Sequence, residues 1–396
     1  MNRTEASKSS GVLEEQYDTI FDQAWPIFAS ALAIGTLNVF LFAFDRPWTA
    51  SDGVRNWGDW LFRSVGIIDR PDLVSPLLYS GSVLNLGVFL GAFAAALLSR
   101  QFAIRISPPG EMLKGGLGGL LMGCGAMLSF GCNIGGFFSA LSALSGSGVA
   151  MMIGLGIGAY LGVKYLLWEL EHWPALSSGQ SYSFCAAGSA GFGWQPMVGV
   201  LALLALLSLA FFYKGLGYGP QAGFLLFGVA FGIIFQRSRF CLVRAFREPF
   251  MTGEAGHTRA AALALVVSMV GFSILKLTDL KDAKDWVFPA FWTGGLFGGL
   301  LFGIGMVLAG GCGAGSIWRA GEGHVKLWVA VAFFAVGTSV MREVLVQNEW
   351  LQKIGTAVFL PNLFGWGGAM LAVIGVMIAW YLAATWNERS GKFSLA

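Results

Sequence analysis

The sequence predicts an all-α polytopic membrane protein made of two structurally related halves. Two observations carry this: an apolar composition with little charge, and a duplicated glycine-rich motif that ends in a cysteine. Of 396 residues, 56% are hydrophobic and 12% charged, against about 25% charged in an average soluble chain. Too few polar side chains remain to cover a surface in water. Glycine, at 57 residues, is about twice its usual ~7% share. In lipid, that much glycine permits close helix contact and breaks within helices. Residues 118–136 (GGLLMGCGAMLSFGCNIGG) and 298–316 (GGLLFGIGMVLAGGCGAGS) agree at ten of nineteen positions and set Cys132 opposite Cys312. Repeats with interrupted helices mark where a transporter holds its substrate.

From the N-terminus, residues 1–24 read as a polar tail with no secretory pattern of basic start, apolar run and small-residue cleavage site. Apolar runs long enough to cross the ~30 Å hydrocarbon core follow at 25–44, 77–99, 149–168, 197–213, 259–278, 325–341 and 358–386. Runs 113–131 and 293–311 are also long enough, and each ends at a Gly-Cys. The shorter run 222–235 stops at Gln236-Arg237-Ser238-Arg239 and reads as re-entrant. The expected plan is about nine spans with several broken or re-entrant helices. A first membrane half covers 25–196 and holds the Cys132 motif. A second half over 197–386 holds the Cys241 and Cys312 motifs, and 387–396 forms a polar tail.

Residues 236–259 hold Arg237, Arg239, Arg244, Arg247 and Arg259, whereas 169–196 holds Glu169 and Glu171 and no Lys or Arg. The positive-inside rule places the arginine-rich loop in the cytoplasm and 169–196 outside. With 222–240 re-entrant, three full spans separate Cys132 from Cys312. An odd number brings the motifs in from opposite faces, as an inverted repeat. Tryptophans 25, 48, 57, 60, 168 and 173 fall near predicted span ends, as an aromatic belt does.

The five cysteines are Cys124, Cys132, Cys185, Cys241 and Cys312. Their spacing fits neither a zinc site nor a disulfide framework. His172, His257 and His324 lie in predicted loops far from them in sequence, and nothing calls for a metal or cofactor. Cysteine often packs as a small buried residue. That reading suits Cys124, whose repeat partner is Ile304, better than Cys132 and Cys312, which the repeat keeps. Cys132, Cys241 and Cys312 each stand where a glycine-containing helix breaks: FGCNIGG, SRFCLVR and GGCGAGS. A new helix start exposes unpaired N–H groups and a positive dipole end that attract anions. Gly131, Gly311 and Gly313 let the backbone approach closely. A thiol is a soft, weak donor, suited to a polarizable sulfur or selenium atom. The breaks therefore read as stations for an anion that carries such an atom.

At FGCNIGGFFSA (130–140), LLFGVAFGIIFQRSRFCLVRAFREPFMTG (225–253) and GGLLFGIGMVLAGGCGAGSIWRAGEGHV (298–325) the chain resembles the YeeE/YedE family of sulfur-compound transporters. The likeness is closest to the YedE branch, often described as selenium transporters, and covers most of the chain from about residue 77. The resemblance implies a pseudo-symmetric, hourglass-like membrane fold in the bacterial inner membrane. It also implies thiosulfate passing between thiols along a narrow path, with Cys132, Cys241 and Cys312 as relay residues. The family's early Phe-Cys element has no equivalent here, because no cysteine precedes Cys124.

Arg239, two residues before Cys241, is placed to draw an anion toward the break, and Asn133 can donate to an oxyanion or cap its helix. Arg319 is one helical turn from Glu322, a spacing that suits a structural pair. The expected function is transport of a small sulfur anion, most simply thiosulfate, into the cytoplasm. Its partners are the lipid bilayer and, as a candidate receiver of the product, a cytosolic sulfur-carrier protein, with no nucleic acid. A selenium compound such as selenite is the alternative cargo. A membrane thiol sulfurtransferase or oxidoreductase with a persulfide on Cys241 or Cys312 is the enzymatic alternative. It lacks a resolving Cys-x-x-Cys or Cys–His pair. An ion channel fits least, since neither half has a carbonyl-filter or carboxylate-ring signature.

Overall fold

The computed structural model describes residues 17–67, 70–185, 194–351 and 353–395. The polar N-terminal tail lies outside the described residues up to residue 16, as does Ala396 of the C-terminal tail. The first part of the chain forms α1 (Ile27–Phe44), α2 (Ala50–Ser64), α3 (Ser80–Leu98), α4 (Pro109–Leu128), α5 (Asn133–Ser142) and α6 (Gly146–His172). Helix α5 opens as a π-helical turn. Next come α7 (Trp194–Gly215), α8 (Gly219–Ser238), α9 (Leu242–Met251), α10 (Gly256–Leu277) and α11 (Thr293–Ala309). The chain ends with α12 (Gly313–Gly321), α13 (Val325–Gln347) and α14 (Pro361–Ser390). Two short strands, β1 (Ile104–Ile106) and β2 (Tyr182–Phe184), pair antiparallel. Among the described residues nine stretches are long and apolar enough to cross a membrane, and α4 with α5, bent by 42°, makes a tenth. The fold is an all-α polytopic membrane protein, as the sequence predicted.

The duplicated motif builds the centre. Helices α4 and α11 lie antiparallel at backbone distance. A Cβ on Gly118 would stand 2.5 Å from Gly305 O, and one on Gly125 would stand 2.5 Å from Gly298 O. The repeat aligns 118 with 298 and 125 with 305, so each contact maps onto the other. This is the signature of a pseudo-twofold axis between the two helices. The flanking contacts repeat as well: Gly119 faces Ala330 O and Gly299 faces Met151 O, at 2.3 and 2.5 Å from the point a Cβ would occupy. Small residues allow this approach where lipid offers no hydrophobic drive to associate.

Two expectations need correction. The segment read as re-entrant is the full-length helix α8, which runs on through the polar residues after 235. Gln236 is fully buried and bonds Glu322 Oε1 at 3.1 Å, and Arg237 is 2% exposed. Polar residues that look like a stop in sequence are here internal partners. Four spans (α6, α7, α8 and α10) therefore separate the cysteine motifs, and the inversion rests on the antiparallel course of α4 and α11. Counting α8 also puts 169–196 on the same face as 236–259. The β1–β2 pairing ties 182–184 to 104–106, and His324 bridges Arg105, next to the residues that hold Arg239. We call this arginine-rich side the inner face. Trp48 is no belt residue: it is 2% exposed, donates to Asn85 Oδ1 at 3.1 Å and packs on Phe231 and Phe235.

Gly125→Val should cost at least about 2 kcal/mol, within the range for overpacked cores, and lower the thermal midpoint of the detergent-solubilised protein. Gly156→Ala, with nothing within 4 Å of its added carbon, should not. A wild-type midpoint for Gly125→Val would show that the close approach of the central helices does not hold the fold.

Candidate functional site

Four long helices stop and restart near the middle of the molecule. Helix α1 gives way to α2 at Thr49, α4 to α5 at Cys132, α8 to α9 at Cys241, and α11 to α12 at Cys312; each residue caps the new helix in extended conformation. A helix start leaves its first N–H groups without intrahelical partners. Four such starts converge here. A Cβ on Gly313 would lie 3.3 Å from Cys132 Cβ and 3.4 Å from Ala50 Cβ. One on Gly315 would lie 3.2 Å from Cys312 Sγ and 3.6 Å from Cys241 Sγ. The two glycines keep open the space that the thiols face.

Cys132, Cys312 and Cys241 are 0%, 2% and 6% exposed. The Cys241 and Cys312 thiols both border the space beside Gly315. Gly315 N–H donates to Cys312 Sγ at 3.3 Å. Across the pseudo-axis, Cys132 Sγ is 3.7 Å from Thr49 Oγ1, and Cys132 N–H donates to Ser51 Oγ at 3.0 Å. The amide of Asn133, next to Cys132, is fully buried, and neither its Nδ2 nor its Oδ1 has a hydrogen-bond partner among the described residues. Ser316 Oγ, equally buried, also lacks one among them. Leaving such groups unpaired costs about 1–3 kcal/mol each, a cost that a bound anion would offset. Gly131 and Gly311 sit just before the breaks. A Cβ on either would enter the first turn of the next helix, 2.5 Å from Gly136 N or 2.8 Å from Ser316 Oγ.

An arginine-lined cavity opens on each side of this constriction. The outer one, about 310 Å³, is lined by Arg46, Thr49, Ser51, Asp52, Arg55 and Arg342 among others. The inner one, about 360 Å³, is lined by Arg239, Cys241, Arg244, Arg247, Glu248 and Arg319 among others. Arg239, in left-handed conformation at φ 57°, is held by buried Glu322 at 2.5 Å, by Gln101 Oε1, and over the Trp318 ring. Glu322 thus pairs with Arg239, and the expected Arg319–Glu322 pair is absent among the described residues; Arg319 donates to Gly310 O at 2.8 Å. His257 lies in the first turn of α10, its Nδ1 3.1 Å from Glu248. Burial, then Arg319, Arg105 and Arg239, push the His324 imidazole down to about 3. It is neutral at pH 7, so its 3.7 Å approach to Glu322 Oε2 is no ion pair.

In the outer cavity Arg46 and Arg55 both bind Asp52, at 2.5 and 2.9 Å, and Tyr79 O–H donates to it. Burial opposes the Asp52 charge, but the two guanidiniums outweigh it and hold the carboxyl below its ordinary value. Burial and then Asp52 push the Tyr79 phenol up to about 12. Sequence reading missed this cluster and also Thr49, Ser51 and Ser316. The available signal was the likeness of RPWT (46–49) to RSRFC (237–241), each an arginine, an aromatic and a small polar residue at a helix break.

A model of the sulphur transport family matches residues 2–161 and 237–394, and the chain belongs to that family. Over 92% of its length it is 26% identical to "Probable transporter YedE" of Escherichia coli strain K12, covering 93% of that protein. Over 33% of its length it is 37% identical to "Thiosulfate transporter TsuA" of the same organism, covering 38% of that protein. The TsuA of Spirochaeta thermophila is 34% identical over 33% of this chain and 39% of its own.

Asp52 stabilises the fold above the ordinary carboxylate pKa of about 3.9, and this is lost as pH falls through its lower folded value. Asp52→Asn should cost about 3 kcal/mol at pH 7, as when one partner leaves a buried pair. Thermal unfolding as a function of pH should show the gap to wild type closing below about pH 4. Equal midpoints at pH 7 would show that Asp52 does not order the outer arginines.

Proposed function

We propose that this member of the sulphur transport family moves thiosulfate across the bacterial inner membrane into the cytoplasm, from the outer arginine-lined cavity to the inner one. Cys132, Cys312 and Cys241 form the relay. The observation that carries this reading is the meeting of three buried thiols at the starts of broken helices, between two arginine-lined cavities. The positive-inside rule supports the direction, since the face with the arginine-rich 236–259 segment is cytoplasmic by that rule.

Each group has a role that follows from its chemistry. Arginines in a confined cavity raise the local anion concentration. The first N–H groups of α5 and α12, which have no intrahelical partner, and the Asn133 amide donate to the thiosulfate oxygens. The thiols face the terminal sulfur, which makes a poor partner for an ammonium or hydroxyl and a tolerable one for a soft S–H donor. Every contact is non-covalent, so the anion leaves unchanged and no thiol is consumed. Arg239, fixed by Glu322 and Trp318 rather than free to follow the anion, lines the inner mouth. The name of the TsuA relatives supports thiosulfate as the cargo.

Uptake of labelled thiosulfate into proteoliposomes tests the reading. Cys132→Ser and Cys312→Ser should each slow it about tenfold or more, equivalent to about 1.4 kcal/mol on the limiting barrier. Cys241→Ser, at the cavity edge, should slow it less. Wild-type protein that carries selenite and no thiosulfate would reassign the cargo. A stable persulfide on Cys241 or Cys312 after exposure would instead indicate a sulfurtransferase.

A further inference from the structure

We propose that Thr49 is a fourth station of the path, a hydroxyl standing where the second half places the Cys241 thiol, and that it donates a hydrogen bond to an oxygen of the passing anion. The inference rests on the reading of function just given and assigns a residue that the sequence did not reveal.

The four break residues fall into two matched backbone pairs. Thr49 has φ −140° and ψ 120°, and Cys241 has −149° and 121°. Cys132 has −69° and −179°, and Cys312 has −83° and −175°. The pseudo-twofold that exchanges Cys132 with Cys312 therefore exchanges Thr49 with Cys241. Aromatic residues precede both, Trp48 and Phe240, and both aromatics are 2% exposed. The side chains are placed alike as well. Thr49 Oγ1 lies 3.7 Å from Cys132 Sγ, and the Cys241 and Cys312 sulfurs lie 3.6 and 3.2 Å from the one point a Cβ on Gly315 would occupy. Thr49 lines the outer cavity, Cys241 the inner. Trp48-Thr49 thus stands in the first half as Phe240-Cys241 stands in the second.

The hydroxyl is also free to act. Thr49 makes no side-chain cap to its own helix. Ser51 Oγ accepts from Cys132 N–H at 3.0 Å and lies 2.9 Å from Thr49 Oγ1. With an acceptor site of Ser51 filled by the backbone, its one proton can go to Thr49. Each hydroxyl carries a single donor proton and either can donate in this contact; when Ser51 does, the proton of Thr49 is left to point at Cys132 or at an anion. A Cβ on Gly135 would sit 2.2 Å from Thr49 Oγ1, so the glycine reserves the space for this side chain.

The replacement changes the chemistry of the outer station. An O–H donor bonds an anionic oxygen shortly and strongly, whereas a thiol donates weakly. The first half therefore offers a hydroxyl beside one thiol, and the second offers two thiols. The class of anion this sequence of donors recognises has oxyanion oxygens together with a soft terminal atom.

The test is the initial rate of labelled thiosulfate uptake into proteoliposomes holding equal amounts of protein that elutes as wild type. Thr49→Val keeps the shape without the proton and should raise KM about tenfold, as for one lost hydrogen bond to a charged group. Thr49→Ser should stay within about threefold, and should valine not fold, Thr49→Ala carries the same comparison. A purely structural role would reduce the amount of folded protein and leave KM alone. Wild-type KM in Thr49→Val alongside a slow Cys132→Ser would overturn the assignment and leave the function standing, as would equal defects in the serine and valine variants. Absence of thiosulfate uptake by the wild type would overturn the functional reading and this inference with it.

Discussion

The structure depends on keeping four interrupted helices inside protein and away from lipid. In hydrocarbon an unpaired backbone group costs several kcal/mol, so non-helical backbone at membrane depth survives only where protein or a polar cavity surrounds it. The reciprocal contacts of Gly118 with Gly305 and of Gly125 with Gly298 supply that enclosure. They bring α4 and α11 to backbone distance and set their broken ends on opposite sides of a pseudo-twofold axis. The composition that first suggested a membrane protein is therefore also what permits the site. A chain with ordinary side chains at these glycines could not bury its breaks.

Burying the breaks fixes the electrostatics of the centre. Each helix start carries about +0.5 of a charge, and four starts together amount to on the order of two positive charges in a water-poor constriction. The arginines contribute less than their number suggests. Arg46 and Arg55 share Asp52, Arg239 is held by Glu322, and Arg244 pairs with Glu248. In the proposed function their role is to collect anions in the two cavities, and the helix ends hold the anion between them. Three thiols, one amide and two or three hydroxyls at that point are what the proposal of a small anion, hard at one end and soft at the other, rests on.

Much of this was legible in the sequence, because lipid imposes strong rules. Run length located most of the long apolar helices to within a few residues, and the duplicated motif gave the positions of Cys132 and Cys312; the inversion rested on a count of three spans where the structure has four. The errors share one cause, which is the treatment of polarity as a boundary. Gln236 and Arg237 looked like the end of a short segment and are interior residues of α8. From that misreading followed the placing of 169–196 opposite 236–259, where the structure sets them on one side. Trp48 looked interfacial by its position near a span end, yet a buried Asn85 satisfies its indole N–H. Thr49, with only the faint likeness of RPWT to RSRFC to mark it, was missed for a different reason. Its correspondence with Cys241 lies in backbone angles and neighbours, while the residue type differs and the intervening lengths do not match the spacing of the cysteine motifs.

The central claim is positional: a sulfur-containing anion rests where the four helix starts meet. Crystals grown with thiosulfate, measured with anomalous scattering at long wavelength, test it most directly. The account predicts paired sulfur peaks within about 4 Å of Cys132 and Cys312 Sγ, the contact range of thiol and anion sulfur, with the oxygens turned toward Asn133 and the helix N–H groups. Anomalous density confined to the outer or inner arginine cavity, or covalently joined to a cysteine, would contradict it.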